Sequence, residues 1–366
     1  MEETITTSSD GPGCSLIAGM LLAPPIAAAP NSIAAMPRSL VTGGAGFMGA
    51  HLVRELLARG DEVVALDDLS GGFRDNVEGA ADFVEASVTD AAAIEALFAD
   101  RGFDRVYHLA AYAAEGLSHF IKRFNYENNV IGSVTLINAA VNHGVDCFVF
   151  TSSIAVYGAE QTPMLETMTP EPEDSYGIAK RAVELELRVS KEMFDLDYVV
   201  FRPHNVYGEL QNIGDRYRNV LGIFINQIMR GEPLSIFGDG SQTRAFSYVT
   251  DVIRPIAAAP DTPGARGEIF NVGADQPFSI NELADIVREE MGVPDHPVVH
   301  HEARKEVVDA FSDHAKVKRT FGEGEGVPLR EGVRRMCEWA REHGPRETPP
   351  FGEIEIEKNL PPSWRR

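Results

Sequence analysis

A glycine-rich turn between an apolar run and an amphipathic stretch constrains this chain more than any other feature. Ser39-Leu40-Val41-Thr42 predicts a short buried strand. The turn Gly43-Gly44-Ala45-Gly46-Phe47-Met48-Gly49 follows, and Leu52, Val53, Leu56 and Leu57 then share one helical face that Gly60 closes. Gly43, Gly46 and Gly49 give the spacing GxxGxxG. Missing Cβ atoms at such a turn let a pyrophosphate approach the N–H groups at a helix N-terminus. The next apolar strand, Glu62 to Asp67, ends in a carboxylate 18 residues after Gly49, placed to accept from both hydroxyls of an adenosine ribose. Asp67 and Asp68 together would repel a 2′-phosphate, so the cofactor expected is NAD and not NADP.

Further strands are predicted at Asp82–Glu85, Arg105–Leu109, Cys147–Ser152 and Tyr198–Arg202. Between them fall an Ala-rich helix capped by Asp90, a helical stretch from about Ile121 to Asn142, and a helix from Tyr176 to about Phe194. Alternating strands and helices imply an α/β chain of Rossmann type, with a doubly wound parallel sheet. The alternation loosens near Asn205. The expected organisation is therefore an NAD-binding domain over 36–204 and, over 205–366, mainly a smaller α/β substrate-binding lobe, with the chain free to cross between them. Strands are predicted there at Leu234–Phe237, Ala245–Val249 and Glu268–Val272, and the period-two run 352–357 reads as a half-buried edge strand. Residues 1–35 carry an acidic start and Pro24, Pro25 and Pro30 within the apolar run; they read as a disordered extension rather than a signal peptide or a membrane span, with Met36 a more usual start. The balance of 33 Lys+Arg against 55 Asp+Glu, a formal charge of −22, argues against nucleic acid or an anionic membrane as partner. Cys14, Cys147 and Cys337 form no CxxC pair, which suits a cytoplasmic location and shows no zinc site. His300-His301 has no third ligand at a recognisable spacing, and no metal is expected.

The second chemical signal is Tyr176-Gly177-Ile178-Ala179-Lys180, whose i,i+4 spacing puts phenol and ammonium on one helical face. A nearby ammonium favours the phenolate and makes tyrosine a usable base. Thr151-Ser152-Ser153 ends the preceding strand, where ligands bind in such sheets. Taken with VTGGAGFMG (41–49), HLAA (108–111), NNVIGS (128–133), TSSIAVYG (151–158), FRPHNVYG (201–208), IFGDGSQTRAFSYVTDV (236–252) and FNVG (270–273), these segments resemble the extended short-chain dehydrogenase/reductases, in their nucleotide-sugar epimerase and dehydratase branch. The resemblance runs from about Pro37 to Trp364. It implies Ser153, Tyr176 and Lys180 as the catalytic set. It implies that Gly43, Gly46, Phe47, Met48, Gly49, Asp67, Asp68, Ser87, Val88, Leu109, Ala110, Ala111 and Asn129, with Tyr176 and Lys180, line NAD. Asn205, Asn219, Arg244 and Arg304, with Ser153, would hold a UDP-sugar, the arginines on its phosphates. A homodimer is also expected.

The family usually has Gly-Asp where this chain has Ala86-Ser87, so Ser87 keeps only one acceptor for adenine; Ala113 stands where some epimerases carry a cofactor-contacting lysine. Dehydratases of the branch place Asp-Glu directly after the catalytic hydroxyl, and the decarboxylases carry a Glu nearby. Here those positions are Ile154 and Ala155, which move no proton, so the resemblance implies 4-epimerisation of UDP-glucose or UDP-glucuronate through a 4-keto sugar. The alternatives are a 4,6-dehydratase or decarboxylase, a net reductase that would change absorbance at 340 nm, and a non-enzymatic NAD-binding protein, which would typically lack the Tyr–Lys pair. The resemblance also places a gate for the sugar C2 substituent at Ala310, with Asp309 or Phe311 if the register slips by one; a small core residue on a strand is the other reading of Ala310.

Overall fold

The computed structural model describes residues 36–159, 162–303, 309–349, 351–361 and 364. The expected extension over 1–35 lies outside the described residues. The strands are β1 (Arg38–Thr42), β2 (Glu62–Asp67), β3 (Asp82–Glu85), β4 (Arg105–His108), β5 (Cys147–Thr151), β6 (Asp197–Pro203), β7 (Val206–Tyr207), β8 (Leu234–Phe237), β9 (Thr243–Ala245), β10 (Ser247–Tyr248), β11 (Ile269–Val272), β12 (Pro277–Ser279), β13 (Val298–His301) and β14 (Asp309–Ala310). The helices are α1 (Phe47–Arg59), α2 (Ala91–Arg101), α3 (Glu115–Ser118), α4 (Lys122–Tyr126), α5 (Gly132–Asn142), α6 (Ser175–Phe194), α7 (Val220–Arg230), α8 (Val249–Ala258), α9 (Ile280–Glu290), α10 (Ala315–Phe321) and α11 (Leu329–His343).

Seven parallel strands form the central sheet in the order β11-β6-β5-β4-β1-β2-β3, with Val41 of β1 opposite Ala65 and Tyr107. Strand order reverses between β1 and β4, so the crevice that binds ligands in such sheets opens at the carboxyl ends of those two strands. Alternate residues serve opposite faces. Leu40, Val64, Val106, Phe148 and Val200 pack under α2, α5 and α6 through Ile94, Phe98, Leu136, Val183 and Leu187. Val41, Val63, Tyr107, Val149 and Val199 pack under α1 and α8 through Leu52, Val53, Leu56, Val252 and Ile256. Strands buried on both faces explain why they read as continuous apolar runs.

The residues after 205 build the smaller sheets β12-β9-β14, β13-β8 and β10-β7, yet β11 returns to the main sheet beside β6. Three local expectations change. The stretch is helical from Lys122 to Asn142 but passes through a π turn at Glu127–Ile131. The predicted strand Ala245–Val249 divides into β9 and β10, with Val249 starting α8. The run 352–357 forms no strand. Its backbone N–H groups at Glu355 and Ile356 both donate to the Phe120 carbonyl, and the Glu355 carboxylate accepts from the N–H groups of Arg123 and Phe124 at 2.8 and 2.9 Å. A carboxylate at the start of α4 answers orphan helix donors, so this segment docks on a helix end rather than a sheet edge.

Candidate active site

The sheet's carboxyl edge and the smaller C-terminal sheets line one cleft of about 2790 Å³. At one end is the glycine turn. Gly43 has φ +72°, and a Cβ there would lie 2.8 Å from the Ala110 nitrogen; a Cβ on Gly49 would lie 2.0 Å from the Gly43 oxygen. No side chain caps α1 at Gly46, so its first N–H groups are available to a ligand's phosphates. Asp67 ends β2 with one carboxylate oxygen accepting from Ala45 N at 3.0 Å and the other from Leu69 N at 2.8 Å. Burial pushes its pKa above the usual carboxylate range, against those backbone bonds. Gly43, Gly46, Phe47, Met48, Gly49, Asp67, Asp68, Val88, Leu109, Ala110 and Ala111 all line the cleft.

Two residues expected at the cofactor do not line it. Ser87 turns its hydroxyl to Thr89 Oγ1 at 3.0 Å. The Asn129 amide accepts from Tyr112 N at 2.9 Å and donates to Tyr112 O at 3.1 Å, so it fixes the backbone of a residue that does line the cleft. Behind them, Thr42 Oγ1 meets His108 Nδ1 at 2.7 Å and His108 Nε2 meets Ser133 Oγ at 2.8 Å. Because Ser133 Oγ donates to the Asn129 carbonyl, His108 must donate from Nε2 and accept at Nδ1. Burial, with Lys180 nearby, pulls its pKa down to about 3, so this link between β1, β4 and α5 stays neutral.

Ser153, Tyr176 and Lys180 come together on the cleft wall. Asp174 caps α6 by accepting from Gly177 N at 2.8 Å, which starts the helix so that Tyr176 sits in its first turn. Lys180 follows one turn on. Its ammonium donates to the Thr151 carbonyl at 2.8 Å and lies 4.7 Å over the Phe150 ring and 5.7 Å over the Tyr176 ring. Burial pulls its pKa down to about 7, with the Glu184 carboxylate opposing. Burial raises the Tyr176 pKa and Glu115 raises it further, while a hydrogen bond with the Ser153 hydroxyl acts the other way. Ile154 and Ala155 line the same wall and offer no proton-moving group. Beneath lies Glu184, accepting from Ser152 Oγ at 2.6 Å, Arg202 Nε at 2.8 Å and Nη2 at 2.6 Å, and Arg181 Nη1 at 2.9 Å.

At the other end the cleft is lined by Asn205, Asn219, Arg244 and Ala310. Asn205 adopts φ +40° and donates to the Ala245 carbonyl at 3.1 Å. Asn219 caps α7 and donates to Val206 O at 2.6 Å. Arg244 and Ala310 are register partners across β9 and β14. Phe311 does not line this cleft, whereas Asp309 does. Arg304 lies outside the described residues. The structure adds cations that no motif marked. Arg218 stacks 4.9 Å from the Tyr112 ring and pairs with Asp215 at 2.8 Å. Arg346 lies 4.0 Å over Phe73, and burial lowers its pKa. Neither lies in a recognisable sequence pattern, because each reaches the cleft from a loop. Among the described residues, no group of three or more His, Cys, Asp or Glu is placed to hold a metal ion, and no helix is long and apolar enough to cross a membrane.

Residues 39–273 match the model of the NAD dependent epimerase/dehydratase family. The chain is 35% identical over 311 residues to a UDP-glucose 4-epimerase of Mycolicibacterium smegmatis, covering 83% of this chain and 98% of that one. Its structure resembles the UDP-glucose 4-epimerase of Thermotoga maritima solved with UDP-glucose, at TM-score 0.79 and 34% identity, covering 84% of this chain and 99% of that one. It also resembles the UDP-glucuronic acid 4-epimerase of Bacillus cereus solved with UDP-glucuronic acid and NAD, at TM-score 0.76 and 28% identity, covering 84% and 99%. Nucleotide-sugar decarboxylases and 4,6-dehydratases are also among the matched proteins.

Proposed function

Because the chain belongs to the NAD-dependent epimerase/dehydratase family, we propose that it inverts C4 of a UDP-sugar, UDP-glucose or UDP-glucuronate, through a transient 4-keto sugar. The observation that carries this reading is the Ser153–Tyr176–Lys180 arrangement on a wall whose neighbours, Ile154 and Ala155, cannot drive elimination. The cleft fits NAD: the bare glycine turn leaves room for a pyrophosphate, and Asp67 stands at the end of β2 with acceptor capacity for ribose hydroxyls. When bound, NAD supplies the acceptor and then the donor of the C4 hydride.

The remaining steps fall to the protein. Tyr176 takes the C4 hydroxyl proton, and Ser153 holds the same oxygen by a hydrogen bond. A buried phenol resists ionisation, so Lys180 must stay an ammonium while the proton moves; Glu184 supports that charge from the next turn of α6. Asn205, Asn219, Arg244 and Arg304 anchor the nucleotide diphosphate while the keto sugar turns over to present its other face. Tyr176 then returns the proton. The homodimer reading is supported by Ile178, Leu185 and Val189, which form an exposed apolar stripe on α6 (44%, 38% and 40% accessible). Purified protein incubated with a panel of UDP-sugars and followed by NMR tests the reading. The expected result is a C4-inverted product with no net absorbance change at 340 nm. A 4-keto-6-deoxy sugar or a pentose as main product overturns it.

A further inference from the structure

Arg218 lines the cleft from the loop before α7, and its side chain makes no hydrogen bond among the described residues. Three neighbours fix where its guanidinium sits. Asp215, 7% exposed and itself accepting from Tyr217 N at 2.9 Å, stands 2.8 Å from Nε. The Tyr112 ring, in the loop after β4, lies 4.9 Å from Cζ. Nη2 lies 3.3 Å from the point that a Cβ on Gly71, in the loop after β2, would occupy. Strands β4, β1 and β2 are neighbours in that order, so a group touching the loops after β4 and β2 spans the loop after β1, which is the glycine turn. The β2 loop rests on that turn: Phe73 N donates to the Ala45 carbonyl at 3.0 Å, and a Cβ on Gly72 would lie 2.8 Å from Gly46 N. The stacking platform is held as well. Asn129 bonds the Tyr112 backbone at 2.9 and 3.1 Å, and the Phe124 and Phe351 rings each lie 5.3 Å from the Tyr112 ring.

A dinucleotide along this cleft with its adenosine ribose at Asp67 and its nicotinamide at Tyr176 has its pyrophosphate between them. Arg218 stands between them too. It touches Gly71, four residues beyond Asp67, and its charge is felt at the Tyr176 phenol, whose ionisation it favours. The glycine turn itself offers a pyrophosphate only N–H dipoles, and the nearby Asp67 and Asp68 are anions. A planar guanidinium supplies the missing positive charge, in a fork that matches phosphate oxygens. The other arginines lining the cleft are placed differently. Arg230 is engaged by Glu232 and Glu347, Arg244 stands on β9 opposite Ala310, Arg346 lies over Phe73 and Trp339, and Arg216 is exposed.

We propose that Arg218 is a cofactor-binding residue that holds the NAD pyrophosphate against the glycine turn, with Tyr112 as its platform and Asp215 orienting it. The proposal concerns the cofactor and stands whichever sugar or reaction the cleft serves. The test uses the full chain and measures the NAD dissociation constant by equilibrium dialysis in the wild type, Arg218→Lys, Arg218→Gln and Arg216→Gln. Arg218→Gln leaves the buried Asp215 carboxylate without its cation, so it is also made together with Asp215→Asn. NAD is expected to bind about tenfold or more weakly in both Gln forms, the size of a lost charge-assisted hydrogen bond. Arg218→Lys recovers part of that loss, and Arg216→Gln changes the constant by less than about twofold. Added salt weakens the wild type more than Arg218→Gln, because the lost contact is ionic. An unchanged constant in Arg218→Gln overturns the proposal, and so does an equal loss in Arg216→Gln. A loss with the salt dependence of the wild type marks a purely structural role and overturns it too. Calorimetry with UDP on NAD-saturated protein tests the other diphosphate: weaker UDP binding at an unchanged NAD constant places Arg218 on the substrate and overturns the proposal.

Discussion

Replacing Glu184 by Gln tests how the buried Lys180 ammonium is supported. The carboxylate is fully buried, at 0% exposure, and faces Arg202 at 1%. It receives two bonds from Arg202, one from Arg181 and one from the hydroxyl of Ser152. The amide keeps the volume and loses the charge, which leaves the Arg202 guanidinium in the core without its anion. Removing one member of a buried ion pair costs about 3–5 kcal/mol. Unfolding entropy of about 2.1 cal/mol/K per residue gives about 0.7 kcal/mol/K for the body Met36–Arg366, so Tm falls by about 4–7 °C. Calorimetric melting of the two proteins side by side measures it. Replacing both partners, Glu184→Leu with Arg202→Leu, removes the orphaned charge and should recover part of the loss. The same single change acts on chemistry. Glu184 holds the Lys180 pKa up against burial, so without it the ammonium is lost below its present value of about 7, and the alkaline limb of the pH–rate profile moves to lower pH. A Glu184→Gln protein with Tm within about 1 °C of wild type and an unshifted alkaline limb would refute both the buried pair and its link to Lys180.

Other expectations follow from single positions. Tyr176→Phe keeps the packing of a side chain 6% exposed and removes its proton, so turnover falls by two or more orders of magnitude, within the range of about 10² to 10⁴ for acid–base catalysis, while NAD stays bound; single-turnover assays with cofactor occupancy check it. Asp67→Ala does the reverse and lowers NAD occupancy first. Burial raises the Asp67 pKa, so wild-type cofactor release on acidification begins at a higher pH than an ordinary aspartate would give, as the adenine absorbance of cofactor separated by ultrafiltration will show. Ala310 is 8% exposed on the cleft wall beside Ile154 and Met164; as the expected gate for the C2 substituent, Ala310→Tyr should reduce turnover of UDP-N-acetylglucosamine more than that of UDP-glucose. Leu185→Glu with Val189→Glu charges the exposed stripe of α6, and sedimentation should then give a smaller species than wild type.

The sheet was legible in the sequence because its signals are local. Strands covered on both faces must be apolar throughout, and a helix beginning at a phosphate-sized turn must lack Cβ atoms there, so β1, Gly43, Gly49 and Asp67 announced one another by composition and spacing. Tyr176 and Lys180 were visible for the same reason, since one helical turn fixes their relation. Where a period depends on its neighbours the sequence misled: Glu353 to Glu357 alternates like a strand, but it joins no sheet among the described residues, and the N–H groups of Arg123 and Phe124 claim Glu355 instead. Nor did the segment around Asn129 announce that its amide holds the backbone of Tyr112. Glu115, Arg218 and Arg346 carried no pattern because their meaning is a charge at a place, and the place exists only once α3, α6 and the loops after β7 and α11 converge on one cleft. Local patterning along the chain was enough for the fold, the glycine turn and the Tyr–Lys pair. Tertiary structure alone decided which charges face that pair, because electrostatic energy depends on distance and burial through space, and neither is a property of neighbours along the chain.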